Sequence, residues 1–315
     1  MIPHSIVIVL GAIPRKDSLP CSHKIEITLP KCHEKTSVWS MPNNLMQIRH
    51  GQKNFHGKPV LRDIHLDIQS GDFITLLGAS GSGKTTLLRL LAGLENWSSV
   101  ETVSSTKDSN DSLPLNPAFV FQEPNLLGWR TVLENTLLPL ELLPVELSPL
   151  DFGHTKTQAQ ERAIEVLKAV QLDTAAHKFP HELSGGMKMR ASIARALITK
   201  PNLLFLDEPF AALDEPTREG LQEQLRGLWE KQHTTIVFVT HSLHEATFLA
   251  NKVWFLNGQP SSLRLEHAIN LPKYRTAETR NSLDYFNELA ILRRLIQQAP
   301  TNDTASPLDP SGGAR

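Results

Sequence analysis

The chain has 315 residues, 40% of them hydrophobic, and balances 32 Lys+Arg against 33 Asp+Glu. That near-neutral balance supplies no basic footprint for nucleic acid, and no apolar run approaches the ~20 residues needed to span a bilayer. The length suffices for one large α/β domain with a helical insertion.

Near the start, the longest apolar run is Ile6-Val7-Ile8-Val9-Leu10-Gly11-Ala12-Ile13, which lacks the basic leader of a signal peptide. Both cysteines follow, in Cys21-Ser22-His23 and Cys32-His33. Their spacing fits no standard structural zinc site, so reduced thiols are expected. From about residue 45 to 77 the chain reads as an antiparallel strand region, ending in Phe73-Ile74-Thr75-Leu76-Leu77.

That strand leads into Gly78-Ala79-Ser80-Gly81-Ser82-Gly83-Lys84-Thr85, the phosphate-loop pattern G-x-x-x-x-G-K-[ST]. The glycines let successive N–H groups face inward as an anion nest, and the following helix adds its positive N-terminal end. Lys84 is then placed to reach the β and γ phosphates, and Thr85 to hold Mg²⁺. A chance glycine-rich turn is the bland alternative; the helix formers from Thr86 to Ala92 and the stop at Gly93 argue against it.

A polar Ser/Asn/Asp stretch runs from Ser98 to Asn116, and an apolar run then ends at Gln122. A lone Gln there is ordinarily a strand-end polar residue. Beyond it a mostly helical insertion is expected, punctuated by Pro139, Pro144 and Pro149, with Ile164, Leu167 and Val170 on one side of a helix from Arg162 to Gln171. Ser184 is well placed to cap a helix from Met187 to Ile198 after Gly185-Gly186. Leu203-Leu204-Phe205-Leu206 has no polar face, as expected of a strand buried on both sides, and ends in Asp207-Glu208. Ligands sit beyond the carboxyl ends of strands in doubly wound sheets, which puts both acids beside the phosphates. Asp207 would bind Mg²⁺ through water and Glu208 would orient the attacking water; a solvated pair of turn-capping acids is the alternative. His241 ends the apolar strand from Thr235 to Thr240, again on the ligand side. A last helix, Leu283 to Gln298, carries Tyr285, Leu289, Leu292 and Ile296 at helical spacing, and Ala299 to Arg315 has the composition of a disordered tail.

The order of Gly78 to Thr86, Gln122, Leu183-Ser184-Gly185-Gly186-Met187, Leu206-Asp207-Glu208-Pro209, Ala211-Ala212-Leu213-Asp214 and His241 resembles the ATP-binding subunit of ABC transporters, over about residues 45 to 270. The resemblance implies a P-loop NTPase (RecA-like) α/β core with an antiparallel β subdomain and an inserted α-helical subdomain at about 125–190. Residues 1–44 match nothing in the family and are expected to be an extension or an over-called start, with Met41 or Met46 as alternatives. Residues 271–298 form a C-terminal helical segment and 299–315 a tail.

It further implies that Gly78 to Thr86 hold ATP, that Gln122 ligates Mg²⁺ and the attacking water, and that His241 contacts the γ-phosphate. Ser184, Gly185 and Gly186 would bind the γ-phosphate of ATP held by a second subunit, with Asp214 communicating across that interface. Met189 departs from the Gln of many relatives. Phe55 is the best candidate to stack on adenine, although the family more often has Tyr there and a core or staple role fits equally.

The stretch Phe121 to Asn135, with Phe210 to Asp214 and Thr240 to Ala246, resembles importers of nitrate, alkylsulfonates, taurine or thiamine-precursor pyrimidines, although His244 replaces a common acid. The partners so implied are a second copy of the chain, two membrane permease subunits and, indirectly, a solute-binding protein, on the cytoplasmic face of the inner membrane and without nucleic acid. Leu126, Leu127 and Trp129 would line the groove for a permease helix. The competing reading is a soluble ABC-type ATPase acting on nucleic acid or ribosomes, which would carry two modules or a coiled-coil or zinc insertion.

Overall fold

A computed structural model describes residues 44–105, 115–142, 156–232 and 234–299. The cysteines, Pro144, Pro149 and the C-terminal tail lie outside the described residues.

The chain enters through β1 (Asn44–Phe55), which turns at His56-Gly57 into the antiparallel β2 (Lys58–Gln69). Both turn residues have positive φ, 48° and 78°, the twist a two-residue hairpin requires. On its other side β1 pairs antiparallel with β4 (Thr102–Ser105), a strand inside the stretch that reads only as polar.

The expected antiparallel region from 45 to 77 divides at Gly71. Its last piece, β3 (Phe73–Leu77), is the centre of a parallel core. It is followed by α1 (Lys84–Leu91), and later by β5 (Pro117–Val120), β6 (Leu203–Asp207) and β7 (Thr235–Val239). The chain closes with β8 (Lys252–Gly258) and β9 (Ser261–Ala268). Among the described residues, nine strands form one sheet in the order β4-β1-β2-β9-β8-β3-β7-β6-β5. Strands β8, β3, β7, β6 and β5 run parallel, whereas β9 and β1 pair antiparallel with β8 and β2.

The parallel strands are buried on both faces, and alternation sorts their side chains between two cores. Phe73, Leu204, Leu206, Ile236 and Phe238 face one. Ile74, Leu76, Leu203, Phe205, Val237 and Val239 face the other, where Leu87, Leu88, Leu90 and Leu91 of α1 meet Ile48, Ile64, Leu66 and Ile68 of the hairpin. Helix α1 is thereby clamped between the parallel core and the antiparallel lobe.

The insertion supplies α2 (Val132–Leu142), α3 (Lys156–Ala169) and α4 (Gly185–Leu197), which pack on one another. Thr131 and Glu134 close a capping box at the start of α2: Thr131 N–H donates to Glu134 Oε2 at 2.7 Å and Glu134 N–H to Thr131 Oγ1 at 3.3 Å. Asn135, fully buried, ties the preceding loop by accepting from Leu127 N–H and donating to the carbonyls of Leu127, Arg130 and Thr131.

After α5 (Glu215–Gln232) and β7 come α6 (Leu243–Leu249), the short α7 (Ala277–Arg280) and α8 (Leu283–Gln298). Tyr285, Leu289 and Leu292 of α8 are buried, with Leu292 among Leu77, Ala246, Val253 and Phe255. Arg275 donates to the carbonyls of Thr247, Phe248 and Ala250, and Arg226 to that of Leu249, so two guanidiniums satisfy the orphan carbonyls ending α6. Burial pushes Arg275 down to about 9. Among the described residues no helix is long and apolar enough to cross a membrane.

Candidate active site

The register of the core sets the geometry. Leu76 lies beside Val239, Asp207 beside Val239 and Val120 beside Leu206, so β3, β7, β6 and β5 end at one edge. The residues beyond those ends are Gly78 of the loop, Thr240-His241, Glu208 and Phe121-Gln122. The edge also holds the start of α1, whose N-terminal dipole favours an anion.

Within the loop, Gly78 and Ser82 are buried, and Ala79, Ser80 and Gly81 are exposed. A Cβ at Gly78 would lie 2.5 Å from the Leu256 carbonyl oxygen, so only glycine lets the loop press onto β8. Gly83, at φ 83°, precedes α1 and rests on Val60 and Leu61 of the hairpin. Lys84, 5% exposed, donates to the Gly78 and Ala79 carbonyls at 3.0 and 2.9 Å, its amine filling the loop's concavity. Burial lowers its pKa, and nearby Glu208 and Asp207 oppose that.

Thr85 Oγ1 donates to Asp207 Oδ1 at 2.9 Å. Burial raises the Asp207 pKa, against the Thr85 hydrogen bond and the charges of Arg89 and Lys84. Glu208 stands between the loop and His241: Oε1 lies 4.0 Å from Lys84 Nζ, and Oε2 lies 3.5 Å from His241 Nδ1. Its backbone is left-handed, φ 44°, a conformation costing a non-glycine residue about 1–2 kcal/mol. The Glu208 N–H to Val239 carbonyl bond, 3.1 Å, secures that bend.

Behind this edge, Thr240 Oγ1 donates to buried Glu245 at 2.5 Å and accepts from Ser242 N–H at 3.0 Å. Gln222 and Arg218 approach the same carboxylate at 3.4 and 3.8 Å. Desolvation raises the Glu245 pKa despite them. Arg218 also donates to the Leu213 carbonyl at 2.7 Å, which links the His241 turn to the Asp214 loop.

Gln122 is exposed, two residues beyond β5. Its loop is anchored by a residue the sequence reading missed. Arg195 of α4 donates to the carbonyls of Asn125 and Pro124 at 2.7 and 2.8 Å, and burial pushes its pKa down to about 10. A lone cation inside Ile193-Ala194-Arg195-Ala196-Leu197 was the available signal.

Ser184 caps α4, accepting from Met187 N–H at 3.3 Å, and the helix starts at Gly185, two residues earlier than expected. Ser184 and Gly185 are exposed, and Gly186 abuts Thr217 of α5 so closely that a Cβ would sit 2.5 Å from Thr217 Cγ2. Asp214 accepts from Thr217 N–H at 3.3 Å, and hydrogen bonding from the Thr217 side chain, then from its backbone, holds the Asp214 pKa below the usual carboxylate range. The structure therefore gathers Lys84, Thr85, Asp207, Glu208 and His241 by direct contact, and joins Ser184–Gly186 to the Asp214 segment instead. Met189 is buried in the helical core rather than turned to a ligand. Phe55 is 37% exposed at the hairpin end, with Lys53 Nζ 4.6 Å from its ring centroid. Trp129 is 73% exposed on the helical lobe, and Leu126 beside it packs on the core.

The chain is similar to known proteins in sequence and in fold. Residues 61–211 match the family model described as ABC transporter. The chain is 37% identical over 245 residues to an aliphatic sulfonates import ATP-binding protein SsuB of Bacillus cereus, covering 76% of this chain and 88% of that one. It is 35% identical over 250 residues to the nitrate import ATP-binding protein NrtD of Synechocystis sp. (strain ATCC 27184 / PCC 6803 / Kazusa), covering 78% and 90%. Among solved structures, the dimeric post-hydrolysis state of the ATP-binding cassette MJ0796 bound to ADP and Pi superimposes with TM-score 0.61 at 28% identity, covering 72% of this chain and 100% of that one.

Proposed function

This chain belongs to the ABC transporter family of ATP-binding proteins, and on that premise we propose that it hydrolyses ATP to drive import of a small anion, a sulfonate or nitrate, through separate permease subunits at the cytoplasmic face of a membrane. The observation that carries the reading is the convergence of the phosphate loop, Asp207, Glu208 and His241 at one sheet edge, with Ser184–Gly186 grouped elsewhere with Asp214. Ser184–Gly186 are thereby left to meet the phosphate of ATP held by a second copy.

Lys84 exchanges the Gly78 and Ala79 carbonyls for β and γ phosphate oxygens, and the loop N–H groups from Gly78 to Thr86 cradle the rest. The adjacent oxygens of Thr85 and Asp207, with the Gln122 amide, form the hard donor set that suits Mg²⁺, Asp207 acting through water. When bound, that ion neutralises phosphate charge. Glu208 orients and polarises the attacking water, and His241, beside it, contacts the γ-phosphate. Phe55 offers one ring face to adenine. Two copies close head to tail over two ATP molecules, each lending Ser184–Gly186 to the other. Trp129 and its loop dock on the permease, which receives solute from a binding protein. The names of the relatives and the near-neutral charge favour this over work on nucleic acid or ribosomes.

Glu208→Gln tests the reading. It should bind ATP, turn over at least about a hundredfold more slowly, and elute as a dimer with ATP but a monomer without it. Near-normal turnover, or a wild-type specific rate independent of protein concentration, would overturn it. Growth of a deletion strain on sulfonate or nitrate as sole sulfur or nitrogen source identifies the solute.

A further inference from the structure

Away from that edge, two histidines of the antiparallel lobe converge on one carboxylate. Asp63 Oδ1 lies 2.8 Å from His50 Nδ1 and 2.8 Å from His65 Nε2, and the three ligand atoms lie within 4.8 Å of one another. The ladder makes this possible. Asp63 and His65 are two apart on β2 and share a face. On β1 the register slips between Ile48 and Gly51, and His50 sits in that irregularity with φ 51°; Asp63, also at φ 51°, precedes the partner of Gly51. His and Asp tolerate left-handed backbone better than most residues.

The other nitrogen of His50, Nε2, lies 3.6 Å from Glu101 Oε2, and Glu101 N–H is tied to the Arg49 carbonyl at 3.1 Å. A carboxylate behind the far nitrogen of an imidazole is the arrangement that orients metal-ligating histidines. Asp63 only accepts, so in the metal-free chain each imidazole turns an N–H toward it. With each ring proton on the far nitrogen, two imidazole lone pairs and the carboxylate oxygen face one point.

We propose that His50 Nδ1, Asp63 Oδ1 and His65 Nε2 bind one borderline divalent transition-metal cation, best matched by Zn²⁺, with Glu101 positioning His50. Two imidazoles and one carboxylate suit zinc and its neighbours, not Mg²⁺ or Ca²⁺. Tetrahedral ligands at ~2.1 Å from the ion lie ~3.4 Å apart, which these half-exposed side chains reach by small rotations. Their exposure leaves the fourth position to water. The ion would pin β1, β2 and, through Glu101, the segment entering β4.

The test uses full-length protein stripped with chelator and free of nucleotide, titrated with zinc chloride in a calorimeter. Wild type should take up one more Zn²⁺ per chain than His65→Ala and gain a zinc-dependent rise in Tm that His65→Ala lacks. Asp63→Asn, which keeps the left-handed backbone accessible, should abolish the same event, and Glu101→Gln should weaken it about tenfold. Millimolar Mg²⁺ should not displace the ion. ATPase activity without zinc should match wild type in all three variants, reporting an intact fold. Equal zinc uptake by wild type, His65→Ala and Asp63→Asn, or displacement by Mg²⁺, would overturn the proposal.

Discussion

Replacing Arg195 with Met separates holding the fold from holding the site. The guanidinium makes two hydrogen bonds to main-chain carbonyls, to Pro124 and Asn125. Charge-assisted bonds of this kind contribute about 1.5–3 kcal/mol each, so their loss removes about 3–6. Those values are already net of the burial cost that pushes its pKa down to about 10, so Arg195→Met should lower stability by about 3–6 kcal/mol in urea titrations. The diagnostic effect falls on the loop. Gln122 stands two residues before Pro124, and a displacement near 1 Å at a reacting centre costs about a hundredfold in rate. ATP affinity should stay within severalfold of wild type and kcat fall about ten- to a hundredfold, with Arg195→Lys between. Both are read from fluorescent-nucleotide binding and steady-state phosphate release. Unchanged kcat would refute the role given to Gln122, and equal loss of affinity and kcat would mean general collapse of the site.

Glu245→Gln should stabilise the protein at neutral pH: burial raises the carboxyl's folded pKa, so ionised Glu245 costs stability above that pKa, and the cost vanishes as pH falls toward the unfolded value of 4.5. Urea midpoints compared between pH 7 and pH 5 check the sign, and a gain that grows on acidification would reverse it. Gly186→Ala should cost about 1–3 kcal/mol through the clash with Thr217 Cγ2, and Thr217→Ser, which lacks that methyl, should recover most of it in a double-mutant cycle. Lys84→Met should weaken ATP binding about ten- to a hundredfold by removing charge-assisted phosphate bonds. Its nucleotide-free stability should hold or rise, because burial depresses the Lys84 pKa and the cation costs stability below its ordinary 10.5. A melting curve shifted well downward would contradict that.

What the sequence disclosed follows from how local each determinant is. The phosphate loop is contiguous, its strand and helix are adjacent, and Thr85 meets Asp207 because ligand-facing strand ends share an edge. Helix α8 runs over Leu283–Gln298 as its apolar spacing predicts. The start of α4 moved because Ser184 caps at Met187 N–H, which makes both glycines helical. Strand β4 was hidden because its pairing with β1 is decided by the partner's open edge, not by its own polar composition. Arg195, Arg226 and Arg275 serve carbonyls far along the chain, and His50 meets Asp63 only through an irregular register. Long-range partners of that kind leave no local period to read.

The bond from Glu208 N–H to the Val239 carbonyl has a mechanical corollary. It extends the β6–β7 ladder by one rung, so the carboxylate and His241 ride on a single stiff plate that also carries β3 and its loop. Their spacing cannot be retuned without tearing sheet hydrogen bonds. Gln122 lies beyond β5 in a loop held by Arg195 of α4, and Ser184 caps that same helix where Gly186 abuts Thr217 of α5. Helix α4 thus carries both the anchor of the Gln122 loop and the cap at Ser184, so a shift in its position reaches both at once.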